Sequence, residues 1–348
     1  MIMVKQAETQ ELHMEGKPPV CSVVMPVYNT PEPFLREAIE SILGQSLRDF
    51  EFIIVDNGSN ECVRHILDDY EDARIRRLRL ETNRGPAAAR NCGIEHARSE
   101  FIAFMDSDDI SLPERLAKQV SYLCEHEEVG CLGTDTNVIR SSKVSAWGYG
   151  ICDTSEVECS LLLVGCMLCQ SSLMIRRGVL KHNHIQYRSE YEPAEDYALL
   201  LDLIGKTKLA VYDEVLVYYR AHANGVSSTQ CSLQKERANI AQQRALERYV
   251  SMSDADQCLA LKCIQGGMLT RDELAALPGT FERMIRAMVQ AGLNGRDIMN
   301  ALRKCVRKLF YHTHTLRGQW ELMRSPLCTF FDLPLWWVFW CFITRGIL

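Results

Sequence analysis

The sequence predicts an α/β protein: a doubly wound, mostly parallel sheet followed by a helical C-terminal extension. Three observations predict it. From Val20 to about Val138, strand-like apolar runs alternate with amphipathic helical ones, which is the pattern of repeated βα units. One of those runs, Phe101–Met105, ends on Asp106-Ser107-Asp108-Asp109, three carboxylates within four positions. Beyond about Gln230 the periodicity becomes helical.

Taken in order, Cys21–Met25 reads as a strand and Phe34–Leu43 as an amphipathic helix; Phe52–Val55 is a strand and Cys62–Tyr70 a helix. Ile75–Leu80 is a strand, Ala87–Ala97 a helix, Phe101–Met105 the acid-tipped strand, Leu116–His126 a helix and Val129–Gly133 a further strand. Residues 140–170 read as loops with a short helix, Ser171–Arg176 and Leu209–Tyr212 as strands, and Glu214–Tyr219 as β-rich. In the helical remainder Gly266-Gly267, Pro278-Gly279 and Asn294-Gly295 read as breaks. The organisation expected is a loose polar leader over 1–19, a core domain over 20–230, a helical region over 231–324 and a Trp-rich apolar tail over 325–348.

With 47% hydrophobic and 24% charged residues, the chain is an ordinary globular one, able to bury a core. Its formal charge of −6 argues against a nucleic-acid partner, which usually demands a basic face. Fifteen cysteines, an odd number scattered along the predicted elements, suggest reduced thiols and a cytoplasmic location. Cys166 and Cys169 form a CxxC inside an apolar run, with no second pair at zinc spacing, and read as core packing.

Acidic side chains at the C-terminal tip of a buried strand are costly without a cation to neutralise them. That edge of an open α/β sheet is also where ligands bind. Hard oxygen ligands suit Mg²⁺ or Mn²⁺, and those ions suit a diphosphate. Helix capping ahead of Pro113 accounts for Asp109 but not for Asp106 and Asp108 together. Other strand ends carry Tyr28, able to lie against a nucleobase, and Asp56, placed either to accept from a base or ribose or to close an Asx-turn onto Gly58 or Ser59. Glu195 and Asp196 open a helix whose dipole favours their anionic forms.

Pro26-Val27-Tyr28-Asn29, Ile54-Val55-Asp56-Asn57-Gly58-Ser59, Asn83-Arg84-Gly85 with Ala89-Arg90-Asn91-Cys92-Gly93, Asp106-Ser107-Asp108-Asp109 and Glu195-Asp196-Tyr197 stand in the order seen in family 2 glycosyltransferases. The resemblance covers roughly residues 20–230. It implies a GT-A fold, a Rossmann-like mixed sheet, and inverting transfer of a sugar from a nucleotide-diphosphate donor. It further implies that Pro26, Val27, Tyr28, Asp56, Asn83, Arg90, Asp106 and Ser107 bind the donor. By the same resemblance Asp108, with Asp106 and His222, holds Mn²⁺ or Mg²⁺, and Asp196 is the general base with Glu195 in support. For His222 an exposed polar pairing with Arg220 stands equally open.

Within the family the segments Ser172–Arg177, Pro193–Tyr197 and Tyr219–Asn224 look most like lipooligosaccharide and capsule transferases. That implies a UDP-sugar donor, UDP-GlcNAc first, and a glycan or lipid-linked acceptor. Asn57 stands where many relatives have Asp. A nucleotidyltransferase would begin with a Gly-rich phosphate loop and a dehydrogenase with GxGxxG, and neither follows the first strand. A non-catalytic nucleotide-sugar-binding protein is a third reading. The stretch Leu333–Ile343, behind a basic amphipathic helix, reads either as a peripheral membrane-interface contact at the inner face of the cell membrane or as a helix docked on protein.

Overall fold

The apolar runs at the start of the chain become the centre of one sheet. The computed structural model describes residues 17–141, 143–147, 154–312 and 331; for 147, 154 and 307–312 only the backbone is described. Residues 1–16 of the expected leader and the Trp-rich tail, Phe331 apart, lie outside the described residues, and with them the membrane-contact expectation.

The elements run β1 (Cys21–Val27), α1 (Glu32–Leu43), β2 (Phe50–Asn57), α2 (Glu61–Asp68), β3 (Ile75–Leu80), α3 (Gly85–His96), β4 (Phe101–Phe104), β5 (Ile110–Ser111), α4 (Arg115–Glu125), β6 (Val129–Arg140) and β7 (Lys143–Trp147). After them come α5 (Thr154–Leu163), β8 (Met174–Arg176), α6 (Arg177–His182), α7 (Glu195–Leu203), β9 (Lys208–Arg220), α8 (Val226–Thr229), α9 (Cys231–Leu246), α10 (Asp254–Ile264), α11 (Arg271–Gln290) and α12 (Gly295–His312).

The sheet has the order β3-β2-β1-β4-β8-β6-β9-β5, with β7 beside β6. β1 pairs in parallel with both β2 and β4, and β2 with β3. Strands β1, β2 and β4 are buried on both faces: Val23, Val24, Met25, Phe52, Ile53, Ile102 and Ala103 are all sealed from solvent. The chain leaves β1 toward β2 and β3, then returns to place β4 on the other side of β1. That reversal opens a crevice at the carboxyl ends of β1 and β4. Helix α3 lies close against β1, because a Cβ on Gly93 would come within 2.3 Å of the Val24 side chain.

Beyond β4 the sheet is mixed, as the family resemblance implies and as the βα pattern alone does not. β8 runs antiparallel to β4 and β6, β6 parallel to β9, and β5 antiparallel to β9. Hydrophobic alternation reports which residues are buried and carries no information on strand direction. The predicted runs Leu209–Tyr212 and Glu214–Tyr219 form one continuous strand, β9, and β6 extends seven residues past the predicted Gly133, to Arg140. Strand β7 lies within the stretch expected to be loop.

The chain divides into two compact units, one of residues up to Thr154 with Leu168–Ala238, the other of Ser155–Met167 with residues from Asn239 onward. In the second unit, α11 starts at a capping box in which Thr270 and Glu273 exchange side-chain and backbone bonds. Pro278 lies inside α11, so the break expected at Pro278-Gly279 does not occur. The buried stripe Leu274, Leu277, Phe281, Met284 and Met288 continues through the proline at helical spacing, and its burial outweighs the one lost backbone bond. Among the described residues no helix is long and apolar enough to cross a membrane.

Candidate active site

The tips of β1 and β2 are laced together by their own loops. Asn29, in the left-handed region with φ 49°, accepts from the Asn60 amide at 2.9 Å and gives its own N–H to Ser59 Oγ at 3.2 Å. Pro26 is half-buried and Val27 fully buried, and Tyr28, directly past the end of β1, is 48% exposed. Asp56 is buried at the end of β2, and its Oδ1 accepts from the Ser59 amide at 2.8 Å, so the Asx-turn onto Ser59 forms. Gly58 follows at φ +74°, where a Cβ would collide with the Thr82–Asn83 backbone at 2.5 Å.

Asn57 does what an aspartate could not. Its amide nitrogen donates to Asn83 Oδ1 and to the Gly85 carbonyl, both at 3.0 Å, while its oxygen accepts from the Arg84 amide at 3.0 Å. Asn83 Oδ1 also takes the Gly85 amide at 2.9 Å. The Oδ1 of Asn83, a residue the resemblance assigns to the donor, is thus engaged in shaping the turn that opens α3.

Arg90 is buried, with no open reach over the crevice. Its Nη1 donates to Glu195 Oε1 at 2.6 Å and its Nη2 to Asp106 Oδ1 at 2.8 Å, and the guanidinium lies over the Tyr187 ring. Burial opposes its charge, but Asp106 and Glu195 overcome that and hold its pKa well above the usual arginine value. Three further bonds tie α3 to the segment that leads into α7: Glu192 Oε1 accepts from the Ala87 amide at 2.9 Å, and Asn91 exchanges two bonds with the Tyr187 backbone, at 2.8 and 2.9 Å.

The acidic turn after β4 divides its three carboxylates among three tasks. Asp106 faces Arg90. Asp108 Oδ2 lies 2.9 Å from His222 Nε2, and burial with the nearby Asp106 pushes its carboxyl up against the pull of that hydrogen bond. Asp109 is fully buried and orients the turn, accepting from Ser171 Oγ and, at 2.8 Å, from the Arg220 amide. Burial, then Asp108 and Asp106, push the Asp109 carboxyl far above the carboxylate range. Ser107 Oγ is 2.6 Å from Thr30 Oγ1, joining the tips of β4 and β1. Arg220 braces the arrangement from β9: its Nε donates to the Asp108 carbonyl at 2.8 Å and its guanidinium stacks on Phe34.

Sequence reasoning missed two residues under this turn. Arg115 is wholly buried and donates to the carbonyls of Phe104 and Ser171. Burial lowers its pKa to about 10, against the pull of Cys21, Cys169 and Asp109. Ser171 then accepts from the Asp106 amide at 3.0 Å while donating to Asp109. An arginine at the start of an amphipathic helix carries no sequence mark of burial, and a serine beginning a strand carries none of a junction.

At the N-terminus of α7, Glu195 is buried with Oε2 unpartnered, and Asp196 is half-buried with Oδ1 accepting from the Tyr197 amide at 2.7 Å. Burial first, then Glu195, push the Asp196 carboxyl up to about 7, against the pull of Arg90. A carboxyl that titrates near neutrality suits proton transfer.

The sequence profile of glycosyl transferase family 2 matches residues 22–183. An uncharacterized glycosyltransferase of Methanocaldococcus jannaschii is 32% identical over 213 residues, covering 58% of this chain and 71% of that protein. The chain belongs to glycosyl transferase family 2. Another similar member is the Escherichia coli UDP-Glc:alpha-D-GlcNAc-diphosphoundecaprenol beta-1,3-glucosyltransferase WfaP, 28% identical over 60% of this chain and 79% of that protein. The crystal structure of S. aureus TarS 1-349 in complex with UDP-GlcNAc superposes with a TM-score of 0.58 at 19% identity, covering 86% of this chain and 91% of that one. Of a longer TarS chain, this chain spans 54%. The fold is therefore the GT-A arrangement of a family 2 glycosyltransferase.

Among the described residues no three His, Cys, Asp or Glu side chains are gathered closely enough to hold an ion alone. A carboxylate and an imidazole 2.9 Å apart, with a second carboxylate on the same turn, fit a divalent ion that completes its shell with donor oxygens.

Proposed function

We propose that this family 2 glycosyltransferase moves a sugar from a UDP-sugar, UDP-GlcNAc first, to a hydroxyl of a glycan or lipid-linked acceptor, with inversion, in cell-surface polysaccharide biosynthesis. The observation that carries the reading is the unbroken chain Asp106–Arg90–Glu195, which joins the donor-side acidic turn to the helix that presents Asp196. The TarS complex supports UDP-GlcNAc as donor, and the name of WfaP supports a diphosphoundecaprenol-linked acceptor. Mn²⁺ or Mg²⁺ held by Asp108 and His222, with Asp106 beside them, would supply positive charge to the departing diphosphate.

In this reading Tyr28 stacks on the base and Asp56 accepts from its one N–H. Asp196 removes the proton of the acceptor hydroxyl as that oxygen bonds to C1, and the C1–O bond to UDP breaks on the opposite face. Glu195, fixed by Arg90, keeps α7 and hence Asp196 in register. Holding both substrates in line supplies much of the acceleration.

The test is a screen of UDP-sugars with Mn²⁺, following UDP release; a donor accepted only with a non-uridine nucleotide would overturn the reading. The pH profile sharpens it. Asp196 acts as a base only when deprotonated, so kcat is expected to fall about tenfold per pH unit as pH drops below about 7 and to level off above it. A profile flat between pH 5 and 8 would remove Asp196 from the role.

A further inference from the structure

Parallel register places Val27, Asp56 and Arg79 in one row across the tips of β1, β2 and β3. Directly paired residues of a sheet share a face, so the Arg79 side chain stands beside Asp56. Arg79 Nε lies 3.8 Å from Asp56 Oδ2, close enough for charge pairing and too far for a hydrogen bond. Asp56 is 93% buried at its side chain, whereas Arg79 is 46% exposed. Oδ1 holds the Ser59 amide, which leaves Oδ2 as the oxygen with no hydrogen bond among the described residues. The Arg79 side chain makes no hydrogen bond among the described residues, so its N–H donors are also available.

The geometry points to Arg79 as a specificity-determining residue that, with Asp56, reads the imide edge of a uracil base in the donor. This rests on the UDP-sugar reading above and adds the means by which the base is chosen. An imide presents one N–H flanked by two carbonyl oxygens. Asp56 Oδ2 takes the N–H and the Arg79 guanidinium donates to a flanking carbonyl. Guanine presents two adjacent N–H donors, which want both oxygens of one carboxylate, and here one is already held by the Ser59 amide. Cytosine turns a bare ring nitrogen toward the carboxylate, so two acceptors face each other with no proton between them. Tyr28, next to Val27 in the same row, supplies a stacking face that tolerates any base, so selection falls to the two charged side chains.

The experiment is calorimetric titration of the full chain with UDP, CDP and GDP in Mn²⁺, for the native protein and for Arg79→Ala and Arg79→Lys. The native protein is expected to favour UDP. Arg79→Ala is expected to weaken UDP about tenfold while CDP and GDP change little, so the preference collapses. Arg79→Lys should recover part of it. Arg79 is exposed on an edge strand, so the substitutions leave the fold intact, which a thermal melt verifies. If the native protein favours UDP and Arg79→Ala keeps the same preference, this inference fails and the UDP-sugar reading stands. If the native protein shows no preference for UDP, both fail.

Discussion

Asp196→Asn is expected to lower kcat for sugar transfer by about 10³-fold while UDP binds as before. The amide is isosteric and its oxygen can still accept from the Tyr197 amide, so the start of α7 keeps its local bond. It also removes a carboxyl that burial and Glu195 both work against. The substitution therefore relieves repulsion, and the variant should melt no lower than the native protein. Steady-state kinetics beside a thermal melt separates the two effects. A variant with more than a tenth of native kcat would show that another group takes the proton.

Arg90→Met is expected to cost about 3–5 kcal/mol of stability, because it strands one carboxylate in the interior and frees another. Arg90 and Glu195 are 7% and 6% exposed at their side chains, whereas Asp106 is 27% exposed and can turn to water. The burden thus falls on Glu195, whose Oε2 already has no partner. For a domain of this size the melting temperature should drop by about 10 °C. Adding Glu195→Gln removes the stranded charge and should return part of the loss, since the two sites touch and their effects do not add. An unchanged melt for Arg90→Met would mean that the pair carries no net stabilisation.

The sheet's first half was legible because β1, β2 and β4 are buried on both faces, β3 alternates buried and exposed residues as an edge strand does, and helices separate them, so each run announces its element. The tips of those strands were legible for the same reason: at Tyr28, Asp56 and Asp106 an apolar run gives way to an aromatic or charged residue, which marks where β1, β2 and β4 end. What joins the tips was legible only in part. The resemblance set His222 beside Asp108, and the two meet across 114 positions; that Arg90 meets Glu195, across 105, no local pattern says. The guanidinium expected over the nucleotide instead sits between two carboxylates, where its charge is better compensated. Asn57, which stands where many relatives have Asp, donates and accepts at once within a turn. Arg115 and Ser171 stayed hidden because their work is done with backbone carbonyls and amides, which every residue has.

Stereochemistry at the transferred carbon tests the central claim most directly. With native protein, Mn²⁺ and an α-linked UDP-sugar that it turns over, proton NMR of the first-formed product should show the β configuration, as a single displacement aided by Asp196 requires. An α product would contradict it, because retention needs a second displacement or a front-face path in which Asp196 has no such place.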